Sequence, residues 1–240
     1  MLFRSEVRER IVERAGGNPL FLEELSQMVL DDTAHAATLE PTVWSIPSTL
    51  QSSLLARLDR LGDAKGFAQG AAVIGREFTR EMLQLVLTDA HGSRDADALD
   101  DALVRLTDTG LVVRRSPQSE TYVFKHALVQ DAATHSLLRT NRRELHRSVV
   151  HVLRERFPER IVAQPELAAR HAEAGDMVDD AIVLYEQASK QASARSAHEE
   201  ALLHLQRAQC IPCYLVDAAY DAGWRRHRVP SRGFAALCLC

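Results

Sequence analysis

Leu111-Val112-Val113-Arg114-Arg115, Ser116-Pro117-Gln118-Ser119 and Thr121-Tyr122-Val123-Phe124-Lys125 form the stretch on which the reading of this chain turns. Two runs rich in β-branched and aromatic residues, divided by a short polar segment with a proline, predict a β-hairpin. It is the only strong strand signal in the 240 residues. Upstream, apolar residues recur at helical spacing. They run through Leu50, Leu54, Leu55, Leu58 and Leu61 to Gly62-Asp63, then through Phe67, Ala71, Ala72, Val73 and Ile74 to Gly75. Thr79 is the expected N-cap of a short helix with Met82, Leu83, Leu85 and Val86. A polar loop from Thr88 to Arg94 leads to another helix with Leu99, Ala102, Leu103 and Leu106, closed by Gly110. Three short helices followed by a hairpin is the order of a winged-helix domain, assigned here to residues 44–125. Trp44 and Ile46 lead into its start at Pro47-Ser48, with Ser48 as candidate N-cap.

Outward from that domain the pattern stays helical. Residues 1–40 hold a helix from Val7, a break at Gly16-Gly17-Asn18-Pro19, and a second helix carrying Phe21, Leu22, Leu25 and Met28. Proline in a first helical turn loses no hydrogen bond. Asp31 to Thr42 is polar and small, and is expected to be a loop. Residues 126–160 are expected to be a helical linker, stopped at Phe157-Pro158. Residues 161–209 are alanine-rich, with a break at Ala174-Gly175-Asp176, and the segments Ala181–Ala188 and Ala201–Ala208 echo each other. Small residues at such spacing belong to tetratricopeptide-like (TPR-like) helix pairs, which need neighbours to bury their faces. From Cys210 to Cys240 the period disappears among Pro212, Pro230 and the string Arg225-Arg226-His227-Arg228, so this tail is expected to be irregular and foreign to the fold. The expected class is therefore mainly α: helices at the start, a winged helix with one hairpin, then TPR-like repeats.

A composition of 46% hydrophobic and 26% charged residues supports one or two ordinary cores. No run approaches the roughly 18 apolar residues of a membrane helix, and the opening MLFRSEVRER carries charge where a signal peptide is apolar. A cytoplasmic protein with no membrane partner is expected. The net charge of −4 gives no global attraction to nucleic acid. The would-be recognition helix carries Asp95, Asp97, Asp100, Asp101 and Asp108 against Arg105, which argues against DNA binding, since lysine and arginine contacts to phosphate supply most non-specific affinity. Arg139, Arg142, Arg143 and Arg147, interspersed with Glu144 and His146, are expected to form a solvated or interdomain face. Cys210 and Cys213 have two-residue spacing, but Cys238 and Cys240 do not complete a second such pair, so no metal site is expected. His146, His151, His198 and His204 lack a carboxylate and a third ligand at metal spacing and are expected to be surface or filler residues. No hydrolase motif is found, and no catalytic residue is assigned.

Two strings resemble a known family. Glu13-Arg14-Ala15-Gly16-Gly17-Asn18-Pro19-Leu20-Phe21-Leu22-Glu23-Glu24-Leu25 resembles the lid-helix motif of the signal-transduction ATPases with numerous domains (STAND) in the AAA-like branch. Phe124-Lys125-His126-Ala127-Leu128-Val129-Gln130-Asp131-Ala132 resembles the segment that follows their winged helix, particularly in bacterial members with an adenylate/guanylate cyclase domain in front or a LuxR-type DNA-binding domain behind. The resemblance runs from Val7 to about Gln209. It departs at Thr134-His135, where relatives commonly show an aromatic residue.

The resemblance implies that an upstream domain supplies the Gly-rich phosphate loop and the acidic magnesium site. No stretch here matches G-x-x-x-x-G-K-[ST], and Gly62, Gly66, Gly70 and Gly75 have no following Lys-Ser pair. Without a backbone cradle and an ion, phosphoryl transfer loses its main stabilisation. The expectation is a non-enzymatic regulatory fragment of a multidomain ATP-dependent signalling protein. ATP or ADP would bind the intact parent and not, tightly, this chain. By the same resemblance Pro19 packs near the adenine in the intact protein; a plain helix-breaking turn is the alternative. His126 follows a strand and opens a helix, where unpaired N–H groups favour an anion, so it is a candidate contact to a diphosphate. The alternative is a partly buried histidine that caps the helix and packs on Phe124. Expected partners are the nucleotide-binding domain that this chain lacks and an effector or protein on the repeats. A stand-alone helical-repeat adaptor is the alternative function.

Overall fold

Thr79 illustrates how short-range signals become structure in this chain. In the computed structural model, which describes residues 11–13, 15, 17, 19, 21–23, 25, 26, 50–92, 95–116 and 118–221, its hydroxyl accepts a hydrogen bond of 3.2 Å from the Met82 backbone N–H. That bond satisfies one of the donors a helix start leaves open. Helix α3 begins there, in the series α1 (Leu50–Asp59), α2 (Ala64–Ile74), α3 (Arg80–His91) and α4 (Ala96–Asp108). Thr79→Ala is expected to lower stability by about 1 kcal/mol, read as a shift of the urea midpoint at unchanged slope; a shift near zero would show that water replaces the cap. The loop from Asp31 to Thr42, the Pro47-Ser48 helix start and residues 222–240 lie outside the described residues.

The apolar faces read from the sequence are buried: Leu54 and Leu58 on α1, Phe67, Ala71 and Val73 on α2, Met82, Leu83 and Val86 on α3, and Leu99, Leu103 and Leu106 on α4. Gly110 follows α4 with φ 67°, and the Leu111 N–H reaches back to the Leu106 carbonyl at 3.1 Å. Only a left-handed residue closes a helix this way, and glycine does so without a Cβ clash.

The hairpin forms as β2 (Val112–Arg114) and β3 (Thr121–Phe124), antiparallel, with Val112 opposite Phe124 and Arg114 opposite Tyr122. A third strand, β1 (Glu77–Thr79), joins the other edge of β3, with Glu77 opposite Val123 and Thr79 opposite Thr121. The sheet order is β1-β3-β2. The expected hairpin thus forms, and its sheet gains a third strand that the sequence did not signal. Three residues are too few to show a period of two, and β1 is held by long-range contacts. The Phe78 ring stacks on Tyr122 with centroids 5.8 Å apart and tilts against Phe124 at the same distance. Helix α5 (Ala127–His135) follows β3 and returns to α2, where the Gln130 side chain donates to the Ala72 carbonyl at 3.0 Å and Gln69 donates to the Ser136 hydroxyl at 2.9 Å. Helix α2 thus lies in the middle of this unit, against α3, α4 and α5.

The chain divides into two compact units at Arg139/Thr140, inside the stretch expected as a linker. The second holds α6 (Arg139–Arg156, entered at Arg139), α7 (Pro158–Ala163), α8 (Pro165–Ala174), α9 (Val178–Ala194) and α10 (His198–Asp221). Helix α9 packs on both α8 and α10. The contacts use small residues: Ala168, Ala169 and Ala172 on α8, Ala181, Ala188 and Ala192 on α9, and Ala201 and Ala208 on α10 are all buried. The irregular tail expected from Cys210 is corrected as far as Asp221, because α10 continues through Pro212. Buried Ala201, Ala208 and Ile211 carry a helical spacing that the proline obscured.

The described residues are thus mainly helical, with one small antiparallel sheet. Among them no helix is long and apolar enough to cross a membrane.

Candidate functional site

The end of β3 sets the position of His126. Phe124 is wholly buried, the Lys125 N–H donates to the Leu111 carbonyl at 3.1 Å, and His126 is the N-cap residue of α5 in extended conformation (φ −131°, ψ 140°). Its imidazole makes no capping hydrogen bond. Instead Nε2 lies 3.6 Å from Oε2 of Glu23. Nε2 is closed to solvent and has no hydrogen-bond partner among the described residues, since 3.6 Å is beyond hydrogen-bond range.

Glu23 also forms an ion pair with Lys125 through its other oxygen. The Lys125 hydrogen bond holds the Glu23 carboxyl below its usual range, helped by the charges of Lys125, His126 and Arg57 and opposed by partial burial. Arg57 itself is buried and donates through Nη2 to the carbonyl of Thr109, at the C-terminal end of α4, where a cation is favoured. Lys125 and His126 therefore flank one carboxylate.

Pro19 and Glu23 are helical and four residues apart, which sets them on one face of their helix. Both are exposed, while Phe21 and Leu25 on the other side are buried. The two strings that carry the family resemblance meet through Glu23 and His126, across a sequence separation that for Glu23 and Lys125 is 102 residues. In the sequence Glu23 is one acidic residue among several in its motif. No local signal marks it, because its partners come from the far end of the unit.

On α4, Asp97, Asp101, Arg105 and Asp108 are exposed. Asp100 is gripped in a two-pronged pair by Arg80, Nε to Oδ1 at 2.5 Å and Nη2 to Oδ2 at 2.8 Å, and this hydrogen bonding lowers its pKa. The exposed face keeps its acidic balance.

In the second unit two of the four arginines expected on a solvated or interdomain face, Arg143 and Arg147, are engaged by neighbours of their own unit, while Arg139 is exposed. Arg143 pairs with Asp176 at 2.9 Å, Arg147 Nε donates to the Gly175 carbonyl at 2.6 Å, and Arg154 pairs with Asp180. A Cβ on Gly175 would sit 3.1 Å from Arg147 Cγ and 3.2 Å from its backbone nitrogen, so glycine permits this close docking of the α8–α9 turn on α6. His146, expected as filler, shares a 2.9 Å contact between its Nδ1 and that of buried His171. Burial, aided by the charge of Arg142, pushes the His146 pKa from 6.5 down to about 4. Further along, the Tyr185 hydroxyl donates to Glu173 at 2.8 Å, and Arg207 pairs with the same carboxylate at 3.0 Å, tying α8, α9 and α10 together.

Among the described residues no group of three or more His, Cys, Asp or Glu is arranged to hold a metal ion. Cys210 is a half-buried free thiol, and Cys238 and Cys240 lie outside the described residues.

The chain is similar to an uncharacterized protein of Rhizobium meliloti (strain 1021), with 35% identity over 208 residues, covering 85% of this chain and 19% of the relative. The chain therefore spans about a fifth of that relative's length. No protein-family model and no solved structure matches it.

Proposed function

We propose that this chain is a control segment of a multidomain ATP-dependent signalling protein of the STAND type, coupling nucleotide state to an output held in other domains. The observation that carries the reading is the meeting of its two motifs. The helix that carries Pro19 and Glu23 brings Glu23 to Lys125 and His126, whose Nε2 is buried and lacks a hydrogen bond among the described residues. A buried polar atom without a partner is costly, and a phosphate oxygen would satisfy it. Lys125 and the N-terminus of α5 add positive charge at the same place.

Two further features support the reading. The order α2-β1-α3-α4-β2-β3 with sheet order β1-β3-β2 accords with a winged helix. The packing of α8, α9 and α10 through alanines accords with the start of TPR-like repeats. In this account His126 and Lys125 read the phosphates of ADP or ATP held by another domain, and Pro19 lies against the adenine. Exchange of nucleotide shifts a two-state equilibrium of lid and winged helix, which an effector on the repeats biases. The cyclase or transcriptional output belongs to the parent protein.

The purified chain is accordingly expected to bind ATP no tighter than millimolar and not to hydrolyse it, measured by calorimetry and phosphate release. Tight binding with turnover would sink the proposal. The acidic face of α4 predicts no gel shift with DNA even at low salt. The adaptor reading has its own favouring observation, since Leu202, Leu203 and Leu205 on α10 are 56%, 64% and 41% exposed. The coding sequence directly upstream separates the two: a phosphate loop there supports the switch, and a translation start without one supports the adaptor.

A further inference from the structure

We infer that Glu23 is an internal occupant of the anion site made by Lys125 and His126, so that the lid helix and a phosphate group compete for the same two side chains. The inference rests on the reading of His126 as a phosphate contact and adds a regulation of that site. Its basis is geometric. One Glu23 oxygen takes the Lys125 ammonium and the other faces His126 Nε2 at 3.6 Å, so a single carboxylate spans both groups as a phosphate would.

The occupant fits imperfectly, which is what a displaceable latch requires. At 3.6 Å the His126 nitrogen remains without a hydrogen bond among the described residues, whereas a phosphate offers more oxygens and more charge. The Glu23, Lys125 and His126 side chains are 46%, 41% and 29% exposed, and ion pairs so open to water are weak. Phe21 and Leu25, buried on the same helix, keep it seated when Glu23 lets go. Displacement therefore moves a charge at the lid without unfolding the unit. It gives the phosphate a direct handle on the segment that begins at Pro19.

The test is a chemical-shift titration of the whole chain with inorganic pyrophosphate at low ionic strength, following the signals of Lys125 and His126. Glu23→Gln is expected to raise pyrophosphate affinity about fivefold, the release of a competing pair worth up to about 1 kcal/mol, while Glu13→Gln, an equal charge change on an exposed residue, leaves it unchanged. In the unaltered chain, pyrophosphate is expected to speed amide exchange in residues 21–26, a measurement that needs no variant. Equal affinity in the Glu23→Gln and Glu13→Gln chains, with Lys125→Met still weakening binding, would overturn the latch and leave the phosphate reading standing. Binding indifferent to Lys125→Met and His126→Ala, in the Glu23→Gln background as well, would overturn the phosphate reading and the latch together.

Discussion

Alanine at Phe124 is expected to lower the stability of the first unit by about 3–5 kcal/mol, the range for emptying a well-packed aromatic site. Phe124 is, among the described residues, the largest wholly buried side chain, on the central strand of the sheet, with its ring 5.8 Å from that of Phe78. Its backbone N–H donates to the Arg76 carbonyl at 2.9 Å, so the residue ties the segment before β1 to β3 as well as filling the core. A domain with a total stability of roughly 5–15 kcal/mol loses a large fraction of it. The functional consequence is local, because β3 runs directly into Lys125 and His126. Phe124→Ala should therefore weaken pyrophosphate binding even at temperatures where the unit stays folded. Phe124→Leu, which keeps most of the volume, should cost about 1–2 kcal/mol and preserve binding. Urea unfolding of both variants, with the pyrophosphate titration alongside, checks the pair of expectations. A loss under about 1 kcal/mol for alanine would mean that the core re-closes around the site and that β3 is not its pivot.

The parts of this fold that were legible in the sequence are those fixed by short-range chemistry. Leu99, Ala102, Leu103 and Leu106 repeat at helical spacing and are buried on one face; Thr79 caps and Gly110 closes, each within a few residues of what it acts on. What stayed hidden depends on partners far away along the chain. Glu77–Thr79 is a strand only because β3, more than forty positions later, offers it an edge. Glu23 is distinguished from its neighbours by an ammonium 102 residues on. Arg143 and Arg147 look like a solvated basic face until the turn at Gly175-Asp176 is brought against them. The candidate site divides along the same line. His126 was legible from its place between a strand and a helix, and Pro19 from its motif, but the carboxylate that joins them was not.

Acidifying the second unit from pH 7 to about 4.5 is expected to destabilise it through His146. The 2.9 Å contact between Nδ1 of His146 and Nδ1 of His171 requires one nitrogen to carry a hydrogen and the other to present a lone pair. Protonation of His146 places a positive charge on a buried ring close to Arg142, 5.1 Å from the His171 ring, and leaves only His171 to supply the lone pair of the contact. The groups around the pair include the Arg143–Asp176 bridge, Arg147 on the Gly175 carbonyl, and Glu173 with Tyr185 and Arg207. Burial, and then the charge of Arg142, depress the folded pKa of His146 from 6.5 to about 4, so the unfolded chain takes up the proton first as pH falls. The stabilisation is complete above 6.5, is lost between 6.5 and about 4, and changes no further below that. At about 1.4 kcal/mol for each pH unit the fall from 6.5 to about 4.5 bounds the loss near 3 kcal/mol, and partial access of water to the side chain reduces the expected loss to about 2 kcal/mol. His146→Gln keeps a hydrogen-bonding group toward His171 and cannot be protonated. The carboxylates of the unit are the same in both proteins, so the difference between the two pH profiles isolates His146. Urea midpoints measured from pH 7 to 4.5 should fall more steeply for the unaltered chain than for the variant. Parallel profiles would mean that the imidazole pair accommodates a second proton without loss, and that the docking of α6 rests on Arg147, Gly175 and the apolar residues beneath them.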